Sequence, residues 1–437
     1  MCLTTLGSGR LHGPPWVTSD LRDPPHGDRS CFALLAAVSF LAACGGARGP
    51  APAIVVSGVI VDPVGNPAPG ITVSIAEQST VSDANGRFSL PNVTSPYVLT
   101  AVSVEAELAV IYDGLTRSDP TIQWLESRSS VIPFYRKGEI LGTIDGGVPI
   151  DALTNIQFAF GAPGASNPPG RFPTPTTYDL TVGWWNGPQT ITGSVHALEV
   201  TRLHGLPTAF PGYAVRTDVP ISDGVNTPDV DLSLTPPSVW SIGGAYSFPA
   251  GYTSFSVTVA LGFGDGAYIV LGDDDGQELD FNFTLPVNID ATATIFTQAT
   301  GPGGVGVTRW DTGIAVGTTG LVLALPQGAP IIGPVDGTTL VDGQTEFSWN
   351  AFPGGIFTID FYPSRGGPVF HVVTGATRMT IPHIPSLSLP AGNQYEWNVS
   401  GVAPFASVDE AAGPQGLNPA GNTLLTSGSR GSFITGP

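Results

Sequence analysis

One run of carboxylates in this sequence has the residue types and the spacing that could bind a metal ion. Residues 272–276 include three adjacent acids, Asp273, Asp274 and Asp275. Hard cations such as Ca²⁺ favour clustered carboxylate oxygens. The run does not fit the EF-hand calcium loop, because Thr284 stands where that loop has its twelfth-position Glu. Its place between two strand patterns favours an acidic hairpin turn, with Ca²⁺ binding as the weaker interpretation.

A second run, Trp184-Trp185-Asn186, could bind a sugar. Neighbouring residues of a strand face opposite sides of the sheet, so we expect one indole to point inward and the other outward. An exposed indole beside Asn186 could stack on a sugar ring. The alternative is that both indoles pack against the rim of a sandwich or against the turn at Pro188. The run is therefore a candidate carbohydrate-binding site.

His196 and Glu199 have the H-x-x-E spacing found at the zinc of metallocarboxypeptidases. Here the pair lies in an alternating strand pattern, where residues three apart face opposite sides and cannot chelate one ion. The histidines His204, His371 and His383 are isolated and are interpreted as loop or core residues. The sequence contains no G-x-S-x-G and no H-E-x-x-H motif. We therefore expect no enzymatic activity.

The overall charge argues against a nucleic acid partner. The chain has 437 residues, with 35 acidic and 16 basic side chains and a net charge of −19 at pH 7, and Lys137 is its single lysine. An acidic surface repels a phosphate backbone. The hydrophobic fraction of 41% is enough to bury cores, and the length predicts several domains.

The strands that would position these residues are preceded by a predicted signal peptide. The apolar run at 32–43 is too short for a membrane-spanning helix, which needs roughly 20 residues, and has the length of a signal-peptide core. Leu41-Ala42-Ala43-Cys44 resembles the lipobox of bacterial lipoproteins. The resemblance implies removal of residues 1–43, lipidation of Cys44 and a tether over 44–53. The alternative is an ordinary secretory signal with an incidental cysteine.

The lipoprotein resemblance carries further expectations. Gly45 follows the cysteine where an aspartate would favour the inner membrane, which implies the outer membrane. The other cysteines, Cys2 and Cys31, precede the cleavage point, so no disulfide is expected in the mature chain. Residues 1–30 are rich in proline and acids, which is unlike a signal leader, and we expect translation to start further downstream.

Strand patterns begin at residue 54, with turn residues between them. The motifs are Ser57-Gly58-x-Ile60-x-Asp62, Gly65-Asn66-Pro67, Gly70-Ile71-x-Val73 and Ser82-Asp83-x-Asn85-Gly86-x-Phe88-x-Leu90. Over 54–130 these motifs resemble the carboxypeptidase regulatory-like domain, a transthyretin-like (prealbumin-like) β-sandwich that is also similar to starch-binding folds. The resemblance implies an accessory module and no peptidase activity.

The rest of the chain is also expected to be all-β. Residues 139–237 and 238–327 have similar opening and closing patterns and predict two middle sandwiches, with one jelly-roll-like domain as the alternative. Residues 328–437 resemble a fibronectin type III domain, in which Trp349 would be the core tryptophan and Tyr395 would lie at the tyrosine corner. The stretch 403–427 departs from that family.

Three other tryptophans, Trp124, Trp240 and Trp310, are expected in cores or at domain junctions. The sequence thus predicts tandem β-sandwich domains behind a lipoprotein signal. The expected function is a non-enzymatic binding or structural scaffold of the cell envelope, anchored to the membrane by lipid, with polysaccharide or envelope proteins as partners. The alternative is a carbohydrate-binding surface protein. No cofactor is expected apart from the candidate Ca²⁺.

Overall fold

The computed structural model describes residues 53–62, 65–124, 135–162, 165–166, 171–174, 176–185, 188–274, 280–315, 317–417 and 421–436. The predicted signal peptide and Cys44 lie outside them. The described residues belong to one compact unit, and their regular secondary structure is almost entirely β-strand, which confirms the all-β prediction. Within the described ranges, no helix has both the length and the apolar character needed to cross a membrane.

The first sandwich is built from seven strands with short turns. They are β1 (Ile54–Val61), β2 (Thr72–Ile75), β3 (Gln78–Val81), β4 (Arg87–Val93), β5 (Tyr97–Ser103), β6 (Leu108–Leu115) and β7 (Thr121–Gln123). Sheet β4-β1-β7 packs on β3-β2-β5-β6. Alternation decides the faces, since Phe88 and Leu90 of β4 are buried while Ser89 between them is exposed.

The second group of strands forms another sandwich. Its members are β8 (Tyr135–Gly146), β9 (Thr154–Gly161), β10 (Ala165–Ser166), β11 (Arg171–Thr174), β12 (Thr177–Trp185), β13 (Thr190–Leu203), β14 (Leu206–Ser222), β15 (Asn226–Thr227) and β16 (Leu232–Leu234). One sheet centres on β8 and β12, and the other has the order β14-β13-β9. Their facing side chains make a single apolar core.

The third group contains β17 (Ser238–Ser247), β18 (Ser254–Phe263), β19 (Tyr268–Asp274), β20 (Asp280–Val287), β21 (Ala291–Thr300), a 3₁₀ turn (Pro302–Gly304), β22 (Gly306–Ile314) and β23 (Leu321–Ala324). Sheet β20-β17-β23 packs against the run β19-β18-β21-β22. The core between them also includes Leu198 and Val200 of β13. Strand β13 is therefore buried on both faces, because it lies between two cores.

The last group has the three-plus-four strand arrangement expected of a fibronectin-like sandwich. It contains β24 (Ile331–Gly333), β25 (Thr338–Val341), β26 (Glu346–Trp349), β27 (Ile356–Pro363), β28 (Val369–Thr374), β29 (Arg378–Thr380), β30 (Gln394–Ala403), α1 (Val408–Ala411) and β31 (Thr423–Thr435). Sheet β24-β26-β29 packs on β28-β27-β30-β31. Trp349 is buried in β26, as predicted. Tyr395 is also buried at the start of β30, but its hydroxyl has no hydrogen-bond partner among the described residues.

One sheet connects three of these sandwiches. It has thirteen described strands in the order β19-β18-β21-β22-β31-β30-β27-β28-β6-β5-β2-β3, with β25 also beside β31. Strand β6 pairs with β28 in parallel, from Leu108 opposite Val369 to Asp113 opposite Thr374. Strand β31 pairs with both β30 and β22. The predicted domain limits stay a prediction. Backbone hydrogen bonds nevertheless join the first predicted domain to the last, through β6 and β28, and the third to the last, through β22 and β31.

The stretch that departs from the fibronectin pattern has a structural role. Residues 403–417, which we call the arm, leave β30, form α1 and pack on the first sandwich through Phe405, Val408 and Ala411. Asp409 accepts hydrogen bonds from the backbone amides of Thr116 and Arg117, at 2.7 and 3.1 Å. The arm therefore joins the last sandwich to the first.

Candidate functional site

The predicted tryptophan site is only partly described. Trp184 ends near the tip of β12, is 1% exposed, and donates its Nε1 hydrogen to the carbonyl of Pro188 at 2.9 Å. Its indole therefore has no free face for a sugar and packs at the Pro188 turn. Burial of this one indole fits both interpretations, since the alternative requires that Trp185 is packed as well. The side chains of Trp185 and Asn186 lie outside the described residues. A sugar site at this run stays a prediction that depends on those two residues.

The acidic run does not form the expected hairpin turn at its described positions, because Asp273 and Asp274 both belong to β19. Asp273 accepts a hydrogen bond from the Thr258 hydroxyl at 2.6 Å on one face. Asp274 faces the opposite side, where its charge adds to burial in raising the pKa of Tyr246. Asp275 lies outside the described residues. Calcium binding stays a prediction, but these two carboxylates do not converge.

Within the described ranges, no group of three metal-ligating side chains is found. His196 and Glu199 face opposite cores, as the strand period predicts, and they do not form a zinc site. His196 Nε2 hydrogen-bonds Asp265 Oδ2 at 2.7 Å, and its Nδ1 lies 2.9 Å from the Tyr213 hydroxyl. The imidazole also stacks on Phe263, with ring centroids 4.0 Å apart. This network ties β13 and β14 to the turn between β18 and β19.

The charge state of this network follows from its contacts. Burial acts to raise the pKa of Asp265, but hydrogen bonds from His196 and from the Ala267 amide outweigh it and hold that pKa below its usual value. Burial and the nearby Asp265 raise the pKa of Tyr213 to about 12. The network is thus an ionised carboxylate that orients a buried imidazole, and its role here is to join two sandwiches.

Glu199 lies in the other core and is fully buried. Its carboxyl group accepts hydrogen bonds from the Val148 amide at 3.1 and 3.2 Å. Gly147 makes this approach possible, since a Cβ there would lie 2.2 Å from the carboxyl oxygen. Burial raises the pKa of Glu199 more than the Val148 hydrogen bond lowers it.

The most distinctive surface lies on strands β18, β21 and β22, on the side turned away from the core. Phe296 of β21 and Trp310 of β22 are cross-strand partners, and their ring centroids are 4.4 Å apart at 52°. Thr258 pairs with Phe296 from the other side and hydrogen-bonds Asp273. Both rings are partly exposed. We call the residues Ser256, Thr258, Phe296, Gln298, Thr308 and Trp310 the open face.

Sequence reasoning missed the open face. Trp310 was expected in a core or at a domain junction. Its parity on β22 turns it away from the core, but its cross-strand partner is Leu424 of β31, so it lies where the third and last sandwiches join. Trp240 had the same expectation, but it is 61% exposed and therefore not in a core. Trp124, at 7% exposure, lies in the first core as expected. The alternation of β21, with Ile295 inside, carried the signal that could have identified Phe296 as a surface residue.

Comparisons with known proteins do not identify a family. No protein-family model and no curated protein sequence matches the chain, so the carboxypeptidase regulatory-like resemblance stays a prediction. Among solved structures, the Bacillus anthracis TIE protein is similar over 63% of this chain and 50% of its own length, at 12% identity and a TM-score of 0.15. The chain thus spans about half the length of that protein.

Two further structures are similar over most of their own length. The major pilin subunit BcpA of Bacillus cereus is 8% identical, with 62% of this chain and 98% of that chain covered and a TM-score of 0.14. The FN1–FN3 domains of chicken CNTN1 are 10% identical, with 69% and 99% covered and a TM-score of 0.16. Such low TM-scores transfer no functional residue, and the fold assignment depends on the strands described above.

Proposed function

We propose that this protein is a non-enzymatic scaffold of the bacterial cell envelope, anchored by lipid on Cys44. The observation that carries the scaffold role is the sheet that runs without interruption from β3 to β19. A string of modules on flexible linkers leaves the distance between its ends free, whereas shared backbone hydrogen bonds fix it. A rigid body of this kind suits a protein that holds a partner at a set position from the membrane.

The junctions between sandwiches support this role. The parallel pairing of β6 with β28 makes the first and last sandwiches parts of one sheet. The arm adds a second connection, in which the Arg117 guanidinium donates to the Asp409 carbonyl at 2.8 Å. The His196–Asp265 hydrogen bond adds a third, between the middle sandwiches. Each junction combines apolar packing with hydrogen bonds, which opposes hinge motion.

Two histidines buried in the described cores have structural partners. His371 of β28 lies across from Asp360 of β27, with Nδ1 and Oδ1 2.5 Å apart. His196 of β13 hydrogen-bonds Asp265, which lies in the turn between β18 and β19. The first contact joins two strands of one sheet and the second joins two sandwiches. Both contacts are explained by a structural role, which supports a scaffold.

The membrane anchor depends on the Leu41-Ala42-Ala43-Cys44 run and can be tested in a bacterial host with two membranes. Metabolic labelling with an alkyne analogue of palmitate should mark the wild-type chain, and fractionation should place it in the outer membrane. A Cys44→Ser variant should lose the label and the membrane association. Labelling that persists in Cys44→Ser would refute the anchor.

The scaffold role is tested by measuring rigidity. Small-angle X-ray scattering of the full chain in detergent should fit a single body, and limited proteolysis should leave the described residues intact near 237 and 327. Cleavage at either predicted domain limit under native conditions, with the fragments separating, would contradict a rigid scaffold.

A second candidate function is a carbohydrate-binding surface protein. The observation that favours it is the open face, on which an aromatic pair is surrounded by hydroxyl and amide groups. A sugar binder predicts stabilisation of the folded chain by its ligand through mass action, whereas a purely structural scaffold does not.

A further inference from the structure

We propose that the open face binds a neutral glycan chain. The inference rests on the second candidate function and gives it a site, and it is independent of the rigidity that carries the scaffold role. Four strands contribute, since Asp273 of β19 extends the row of Thr258, Phe296 and Trp310. The row crosses the sheet at right angles to the strands, so a chain laid along it would contact every strand.

The position of the row in the long sheet makes it accessible. On the same side of that sheet, Ile356 and Val402 of the last sandwich pack on the first core, whereas Thr426 of β31 is partly exposed. Leu424 of β31, the cross-strand partner of Trp310, packs against the first core. Beyond Leu424 the side chains of the row are partly or fully exposed. The open face, which we also call the ledge, is therefore an accessible strip of the sheet that begins beside Leu424.

The polar groups on the ledge match the chemistry of sugar hydroxyls. Gln298 is exposed, and its Nε2 donates to the Ser256 hydroxyl at 2.8 Å. The Thr308 and Thr426 hydroxyls hydrogen-bond each other across β22 and β31. Hydroxyl and amide groups both donate and accept, and an amide has more hydrogen-bonding positions than this one contact uses. Sugar hydroxyls also do both, so they can join such a network without leaving a group unpaired.

The aromatic pair supplies the apolar part of the site. The tilt of 52° between Phe296 and Trp310 exposes parts of both rings rather than stacking them face to face. Aromatic side chains provide large contact areas with little conformational freedom to lose, and the C–H faces of a sugar ring pack against such surfaces. The combination of two rings and a hydroxyl border therefore fits a pyranose chain.

Other occupants fit the ledge less well. The centre of a protein–protein interface is depleted in charged residues and well packed with apolar ones, whereas hydroxyls border both rings here. Nucleic acid and anionic glycans would be repelled by the net charge of −19 and by the exposed carboxylate of Asp273. Arg309, next to Trp310 on β22, is turned to the inner side, where its Nε donates to Asp311 at 2.6 Å. A neutral glycan is the ligand that this chemistry recognises.

Affinity electrophoresis of the full chain in detergent tests the proposal, with laminarin, dextran, galactomannan and hydroxyethylcellulose as probes. At least one should retard the wild-type chain. Trp310→Ala should weaken that binding at least tenfold, and Gln298→Ala should weaken it about fivefold, because one hydrogen bond is worth about 1 kcal/mol. Trp240→Ala removes an exposed tryptophan elsewhere and should bind like the wild type.

Because Trp310→Ala also removes a cross-strand contact, Gln298→Arg serves as a second variant. This variant keeps both aromatic rings, but the longer arginine side chain at this exposed position covers them. It should therefore abolish retardation while the unfolding temperature stays at the wild-type value. A wild-type chain that no probe retards would overturn the proposal, as would equal losses in Trp240→Ala. A wild-type dimer that Gln298→Arg dissociates would also overturn it, in favour of self-association. The scaffold proposal is tested separately by small-angle scattering, so failure of the glycan proposal would leave the scaffold proposal standing.

Discussion

The contact between His196 and Asp265 should stabilise the junction of the two middle sandwiches, and Asp265→Ala tests this. The His196 side chain is 6% exposed and the Asp265 side chain 27% exposed. Removal of the carboxylate leaves a buried imidazole N–H without this acceptor, which costs about 1–3 kcal/mol. Since water can reach the position of Asp265, we expect a loss of about 1.5 kcal/mol, in the lower half of that range.

Urea denaturation at pH 7, followed by tryptophan fluorescence, measures this loss. Asp265→Asn is the matched control, because its side-chain oxygen can still accept from His196, and it should cost less than half as much. Hydrogen exchange should show that the extra opening in Asp265→Ala is concentrated in β13 and β14. Equal losses in the two variants would refute the reasoning.

A double-mutant cycle isolates the contact. His196→Phe removes the imidazole, so in the combined variant His196→Phe/Asp265→Ala neither member of this contact is left without the other. The His196–Tyr213 contact is lost in both variants that carry His196→Phe, so its loss cancels in the cycle. We expect the combined loss of stability to fall short of the sum by about 1 kcal/mol. Additive losses would mean that the two side chains act separately.

The pH dependence of the same contact has a defined sign. The pKa of Asp265 lies below its usual value in the folded chain. The stabilisation is therefore fully present above the unfolded value of about 3.9 and is lost as the pH falls through the lower folded value. The stability difference between the wild type and Asp265→Asn should shrink towards zero in strong acid.

Three further predictions concern other parts of the fold. Burial raises the pKa of Glu199, so the stability of the wild type falls as the pH rises above the unfolded value of about 4.3. Glu199→Gln should therefore be more stable than the wild type at pH 8 and equal to it at pH 4. Urea midpoints at both values check this, and a less stable variant at pH 8 would contradict it. Asp409→Ala should release the arm and speed its proteolysis several-fold, with exposed Glu105→Ala as the control. Amides of β6 and β28 should exchange as slowly as those of β30, and fast exchange there would show that the seam is not formed in solution.

Much of the local structure could be predicted from the sequence. The strand period of two residues is local information, and it predicted that His196 and Glu199 face opposite cores. It also predicted that one indole of the Trp184-Trp185 pair points inward, which the burial of Trp184 bears out. The core position of Trp349 followed from the fibronectin resemblance in the same way.

The candidate site was less predictable. Alternation places Phe296 and Trp310 on the same side of neighbouring strands, but only once those strands are known to pair. Alternation alone also does not show which side of the sheet is packed against another sheet and which side faces solvent. The sequence therefore indicated Trp184, Trp185 and Asn186 as the candidate sugar site, and it placed Trp310 in a core or at a domain junction.

The sequence by itself determined where the strands are, which side chains share a face, and that the fold is all-β. Only the tertiary structure decided which strand edges meet, and thus that β6 pairs with β28 and that β31 joins β22. The physical reason is that backbone hydrogen bonds are the same at every edge, so pairing between distant strands depends on what packs above and below them. The same packing covers one part of the long sheet and leaves Phe296 and Trp310 open to solvent.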